Sequence, residues 1–438
     1  MNRRALICRQ AGRWIAPALF LIAAVYLLAI PLIRPRGAYL HGHYRVLDLY
    51  LGAPALISAI LSAGVALAPQ RRRRLLGFKL FTASVSAFSA LLVADGSLAL
   101  LAPHDFWTDV MGPPGLHNEP DPVLGWRRKA FASSTVRRTR YTANGDEQLD
   151  FQYACDANGF RNPPLSGPRV GAVIGDSFTE ASEVPREECF AARVGERLGV
   201  EVENLGRSGY GPPQELEVLR QIGLRTAPPK WVVWQLYEGN DLPDTVRFLQ
   251  WRRNPSTPGL PLSVRYIEYS PLLRWIGKQR TPGLGVLQRL PGGRLREAVR
   301  LTPYVPTAPD TLPGALEGVQ ASLQEGQSLC RAAGVRLLVL YIPNMMRVQS
   351  DLFVFPSPKV RGIFLPEGQS DSPHDFESRI TRYCRDQSID FASLTPLLRK
   401  RRRAGDENLY VPFDGHLDRS GHEVAAQVIC NWVTREQP

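Results

Sequence analysis

The chain has 438 residues, 44% of them hydrophobic, and a formal net charge of +12. That is enough for a large soluble domain plus a further unit. The charge is uneven: residues 1–102 carry 12 Lys/Arg against 2 Asp/Glu, and the rest carry 41 against 39, a net of only +2. An extended basic field for phosphate backbones is thereby excluded, and nucleic acid is not an expected partner.

In chain order, 14–33 and 49–70 are charge-free apolar stretches of 20 and 22 residues, each matching the ~20 residues that cross a hydrocarbon core. Residues 75–101 form a third, weaker candidate containing Lys79 and Asp95. Alone, the first stretch also reads as a signal peptide, but the second apolar stretch favours a retained anchor. Arg3, Arg4, Arg9 and Arg13 precede the first stretch and 71–74 are all arginine, so the positive-inside bias predicts a cytoplasmic N-terminus. The expectation is a three-span anchor over 1–102 in a bacterial inner membrane, with membrane lipid as a partner. Everything after it would be periplasmic; two spans would reverse that side.

Residues 103–168 are rich in Pro, Gly, Asn and Asp and predict turns with two or three short strands, Asn144-Gly145 and Asn158-Gly159 marking turns. From Val170 strands and helices alternate. "VGAVIG", "VEVENLG", "WVVWQLY", "GVRLLVLYI" and "SIDFASL" read as strands. Helices are expected near 187–198, 213–224, 316–333, 376–384 and 420–433. Such alternation predicts a parallel sheet covered by helices on both faces, with sites beyond the carboxyl ends of its strands. Two stretches break the repeat, 242–315 and 343–375. The first includes "PGGRLREAVR", read as a helix, and Phe248, Trp251, Tyr266, Tyr269 and Trp275. These aromatics either wall a site or form the insertion's own small core, the latter being favoured for most of them. The six cysteines allow one or two disulfides but form no metal-type spacing.

Four short pieces at strand ends carry potential chemistry. In "VIGDSFTEA", Ser177 follows a strand at the start of a helix; it is either an exposed nucleophile or an ordinary cap. "NLGRSGYGPP" places Gly209 where an N–H can approach a carbonyl oxygen. "EGND" offers the Asn240 amide as a donor to developing negative charge, or as an Asx-turn. "DGHLDRSGHE" holds Asp414 and His416 two apart, suited to a base and its orienting carboxylate. His422 competes for the base role but sits inside an expected helix, and a metal set of Asp414, His416, Asp418 and His422 is the minor alternative.

Taken together, "GDSFTEA", "NLGRSGYG", "GND" and "DGHLDRSGH" resemble the SGNH/GDSL hydrolase superfamily over residues 168–434. The resemblance implies a flavodoxin-like three-layer α/β/α sandwich. It also implies Ser177 as nucleophile, His416 and Asp414 as its partners, and an oxyanion hole of the Ser177 and Gly209 N–H groups with the Asn240 side chain. The Asp-to-His spacing of two, not three, resembles the branch that includes bacterial exopolysaccharide O-acetyltransferases. "PDPVLGWR" and "DANGFR" resemble the leader of membrane-anchored members. The expected activity is a serine esterase or deacetylase on an acylated glycan or lipid of the cell envelope. An O-acyltransferase and a non-catalytic envelope module are the alternatives, and no metal or organic cofactor is called for.

Overall fold

The computed structural model describes residues 118–164, 167–225, 227–253, 285–298, 314–365 and 375–435, with scattered positions between 69 and 93. The chain divides into two units, one of residues 1–111 and 262–282, the other of residues 112–261 and 283–438.

In the first unit the described positions include a helical run at 75–79. Among the described residues no helix is long and apolar enough to cross a membrane. The expected three-span anchor is corrected on that finding. With it go the membrane-lipid partner, the multi-pass inner-membrane placement, and the acylated envelope substrate inferred from it. The apolar stretches 14–33 and 49–70 lie outside the described residues, as does most of 75–101.

The second unit begins with two antiparallel pairs, β1 (Asn118–Asp121) with β2 (Gly125–Arg128), and β3 (Ser133–Thr142) with β4 (Gly145–Ala154). The turn at Ala143-Asn144 lies beside the expected Asn-Gly signal, but the hairpin strands are ten residues each, not short. The main sheet follows, built from β5 (Arg169–Gly175), β6 (Glu201–Gly206) and β7 (Trp231–Tyr237). A small hairpin comes next, β8 (Leu287–Arg289) and β9 (Leu295–Glu297). Then come β10 (Arg336–Ile342), β11 (Phe353–Val354) and β12 (Asp390–Ser393).

The five-stranded sheet runs β6-β5-β7-β10-β12, every neighbour parallel. Numbered by their own sequence order these strands read 2-1-3-4-5, the doubly wound arrangement whose switch point lies between the first and third. The strand interiors are apolar on both faces because helices cover both. Val173, Val233, Leu338 and Leu340 pack with the helices Phe190–Leu198, Thr395–Arg403 and Arg419–Thr434. Their alternates Ala172, Ile174, Val232, Trp234 and Val339 pack with Pro212–Val218, Ala315–Ala332 and Phe376–Asp386. The result is the three-layer α/β/α arrangement.

The irregular stretches meet each other. β11 pairs with β8 and β8 with β9 in a three-stranded antiparallel sheet. The helix expected at 291–300 is therefore a turn and a strand. Gly292 and Gly293, at φ +80° and +82°, reverse the chain after Leu290, and the antiparallel ladder to β8 outweighs the helix-forming composition of "LREA". Phe248 is buried and stacks on Trp251, 5.5 Å between centroids; Tyr266, Tyr269 and Trp275 lie outside the described residues. Cys155, Cys189, Cys330, Cys384 and Cys430 are free thiols.

Candidate active site

β5 ends at Gly175, and the chain turns into the four-residue helix Ser177–Glu180. A Cβ on Gly175 would lie 2.3 Å from the Gln235 Oε1 and 2.5 Å from the Thr179 Oγ1, so only glycine fits this close approach. Asp176, fully buried, caps the helix by accepting from the Phe178 N–H at 2.9 Å. The cap role read as an alternative for the serine thus belongs to its neighbour, and Ser177 is left partly exposed. Burial pushes the Asp176 carboxyl up to about 6, against the Phe178 hydrogen bond and the nearby His416 charge.

The loop before the last helix brings Asp414 and His416 to the same place. His416 Nε2 lies 2.7 Å from Ser177 Oγ, and its Nδ1 bonds to Asp414 Oδ1, which also accepts from the His416 backbone N–H at 3.2 Å. With Nδ1–H turned to the carboxylate, Nε2 is the nitrogen that accepts the serine proton when the ring is neutral. The imidazole is tilted against the Phe178 ring, 4.8 Å between centroids, and Phe178 in turn against Tyr237 at 3.9 Å. Loss of hydration would depress the imidazole pKa, but the carboxylates of Glu183 and Asp414 outweigh it and push it up to about 10. Asp414, raised by its own desolvation, is held down at about 2 by the imidazolium and the His416 hydrogen bonds.

His422 takes no part. It is buried, its Nδ1 accepts from the Phe190 N–H at 3.4 Å, and burial lowers its pKa to about 3. Asp418 caps the last helix through the Arg419 N–H. Two members of the four-residue metal set, Asp418 and His422, are therefore occupied in capping and core packing, apart from the Asp414–His416 pair.

Gly209, at φ +80°, and Asn240 lie at the ends of the neighbouring elements, both partly exposed. The Gly209 carbonyl accepts from Arg247 Nη2 at 2.8 Å. Asn240 Nδ2 donates to Asp244 Oδ2 at 2.9 Å, and its amide faces Asp176. Beneath them Asp176, Glu215, Asp241 and Asp244 are buried together, and burial is the main cause raising each carboxyl above its ordinary value.

Two features escaped sequence reading. Glu180, with no exposed side-chain surface, is the hub of the loops. It takes Arg207 Nη1 at 3.0 Å, Arg128 Nη2 at 2.9 Å, the Ser208 N–H and hydroxyl, and the Tyr153 hydroxyl. Arg128 and Tyr153 come from β2 and β4, so the extension is fastened directly to the turn that bears Ser177. "DANGFR" and its neighbour add to the grip: Arg161 Nη2 donates to the Val184 carbonyl at 2.9 Å, and Asn162 exchanges hydrogen bonds with the Asn204 backbone. The second feature is Glu183, nearly buried, whose carboxylate shares a 4.8 Å neighbourhood with Asp414 and the His416 ring. The "SFTEASE" string contains these acids, but nothing in its spacing says which face inward.

No family model matches the chain, and no curated protein does. Among solved structures it is similar to a member of the lipolytic G-D-S-L family from Veillonella parvula, at 12% identity and TM-score 0.33 over 61% of this chain and 98% of that one. An acetylxylan esterase from Geobacillus stearothermophilus gives 13% and 0.33 over 63% and 98%. A GDSL-like lipase from Bacteroides thetaiotaomicron gives 12% and 0.31 over 61% and 91%. The narrower resemblance to a membrane-anchored, polysaccharide-modifying branch is corrected by the absence of any family match and of a spanning helix among the described residues. The solved structures are distant likenesses of low identity to parts of this chain.

Proposed function

We propose that this chain is a serine-dependent ester hydrolase working through an acyl-serine intermediate. The observation that carries the reading is the unbroken hydrogen-bonded series from the Ser177 hydroxyl through both His416 nitrogens to Asp414, at the accessible end of the sheet's switch point. A purely structural serine at a helix start has no need of an aligned imidazole backed by a carboxylate.

In the first stage Ser177 Oγ attacks the ester carbonyl carbon while its proton passes to His416 Nε2. The Ser177 and Gly209 N–H groups and the Asn240 amide are assigned to the oxygen that becomes negative. Collapse breaks the bond to the alcohol, which leaves with the proton held by the imidazolium. In the second stage water attacks the acyl-serine, again losing a proton to His416, and the carboxylic acid departs as Ser177 recovers its hydrogen. Asp414 stays ionised throughout, consistent with its depressed pKa.

Ser177→Ala tests the assignment. Turnover of a short-chain chromogenic ester should fall to background with the thermal midpoint retained. Hydrolysis persisting in that variant excludes Ser177 as the nucleophile.

A further inference from the structure

Asp414 is not the only carboxylate beside the imidazole; Glu183 is another. Asp414 comes from the histidine's own loop, and Glu183 from the segment just after the nucleophile helix. One side-chain oxygen of each and a ring nitrogen of His416 all lie within 4.8 Å of one another. The Glu183 side chain is only 7% exposed. Its Oε1 accepts from the Ser182 hydroxyl at 2.6 Å, while its Oε2 is buried with no hydrogen-bond partner. The nearest opposing cation is Arg138 of β3, at 3.6 Å.

We propose that Glu183 is a positioning residue that acts through His416, sharing with Asp414 the work of holding the imidazole toward Ser177 and favouring its protonated form. The inference rests on the hydrolase reading above and assigns that site a second anion. Several other groups face the imidazole. Asp176 lies at the N-cap, where its charge also favours the imidazolium. Phe178 packs against the ring and Ser177 bonds to Nε2. Arg138 lies beyond Asp414 as well as beside Glu183, damping the combined negative charge. An anion within about 4–6 Å shifts a titrating partner by 1–3 units. Glu183 precedes Asp414 among the charges raising His416, so its contribution belongs to that range after screening. In the catalytic cycle the effect is to stabilise the imidazolium formed at each proton transfer. The cost is a smaller fraction of neutral imidazole at pH 7.

The test uses the full chain and a chromogenic ester, with the Ser177→Ala rate subtracted, over pH 6 to 12. Glu183→Gln should move the acid limb of kcat/KM down by about one pH unit or more, and Glu183→Asp should restore most of the shift. A lost packing contact would lower the rate at every pH and leave the limb in place. Asp414→Asn should be milder alone than in combination with Glu183→Gln. The His416 ring protons, titrated by NMR in wild type and Glu183→Gln, give the same shift without relying on turnover; circular dichroism checks folding. An unmoved limb and an unmoved NMR titration overturn the role of Glu183. Ser177-independent hydrolysis would instead overturn the nucleophile assignment, while a shifted NMR titration would still uphold the pairing of Glu183 with His416.

Discussion

Replacing Glu180 by Gln keeps its shape and removes its charge, leaving Arg207 and Arg128, with side chains 2% and 14% exposed, facing a neutral amide. Breaking a buried ion pair by removing one partner costs about 3–5 kcal/mol, because the other charge stays desolvated. Here two cations lose the charge that compensates them, and five donors that shared two carboxylate oxygens are left with one amide oxygen, so the upper half of that range is expected. With a urea slope of about 3 kcal/mol/M for a unit this large, the unfolding midpoint should fall by more than 1 M at pH 7. The pH dependence has a definite sign. Burial alone would raise the Glu180 carboxyl, but Arg207, Arg128 and the hydrogen bonds from Ser208 and Tyr153 hold it well below the usual carboxylate range. A carboxyl depressed on folding contributes its full stability above its unfolded pKa and loses it as pH falls through the folded value. The gap between wild type and variant should therefore be constant above about pH 5 and narrow on acidification. Esterase activity should fall as well, since Ser208 and Gly209 lose their anchor. A gap under 1 kcal/mol at pH 7, or one that widens in acid, would refute this account of the hub.

Asn240→Ala should lower kcat by about 10²–10³, the loss of one oxyanion donor, with KM and thermal midpoint little changed; steady-state kinetics on the same ester checks it, and an unchanged kcat removes Asn240 from the hole. Gly415→Ala forces a side chain onto φ +91°, costing about 1–2 kcal/mol. Its effect on kcat/KM should exceed that on the melting temperature, because the strained residue separates Asp414 from His416.

The sheet was readable because its central strands carry almost no polar interruption: "WVVWQLY" and "RLLVLYI" admit little besides buried strands between two helical layers. Ser177, Asp414 and His416 were readable because each lies in a short, distinctive string. The misread "PGGRLREAVR" shows the limit. Its local composition favours helix, while the strand it pairs with, Leu287–Arg289, joins it through backbone groups that leave little side-chain pattern, and that partner is itself held on its other edge by the remote Phe353-Val354. The β3–β4 hairpin was hidden for a related reason. Of "SSTVRRTRYT" only Ser134 and Val136 are buried, too few to set an alternating pattern, and its three arginines are explained by the acids they meet, Asp150, Glu183 and Glu188. Glu183 was illegible because its role depends on which carboxylates the loop turns toward His416. Composition says nothing of that.

The two-residue spacing of Asp414 and His416 also has a local explanation. Val411 donates its N–H to the His416 carbonyl at 2.8 Å, Asp418 donates to Leu409 at 3.0 Å, and Tyr410 and Leu417 form an antiparallel bridge. These contacts close the segment into a tight hairpin-like loop. Its tip needs a left-handed residue on each side of the acid, Phe413 at φ +65° and Gly415 at +91°. Such strain persists only where the surroundings over-determine the backbone. Here Gln288 of β8 accepts the Phe413 N–H at 2.9 Å, Tyr141 of β3 packs edge-on against the Phe413 ring, and the Tyr410 hydroxyl bonds to the Pro343 carbonyl at 2.8 Å. A longer spacing would let the acid reach the ring only as a side chain. At two residues, one Asp414 oxygen accepts from both the backbone N–H and the ring of His416, so the turn that fixes the backbone also fixes the tautomer. The three excursions from the sheet, the N-terminal hairpin, the β8–β9 pair and the segment after β10, therefore converge on holding one loop, and the orientation of His416 toward Ser177 is a property of all of them together.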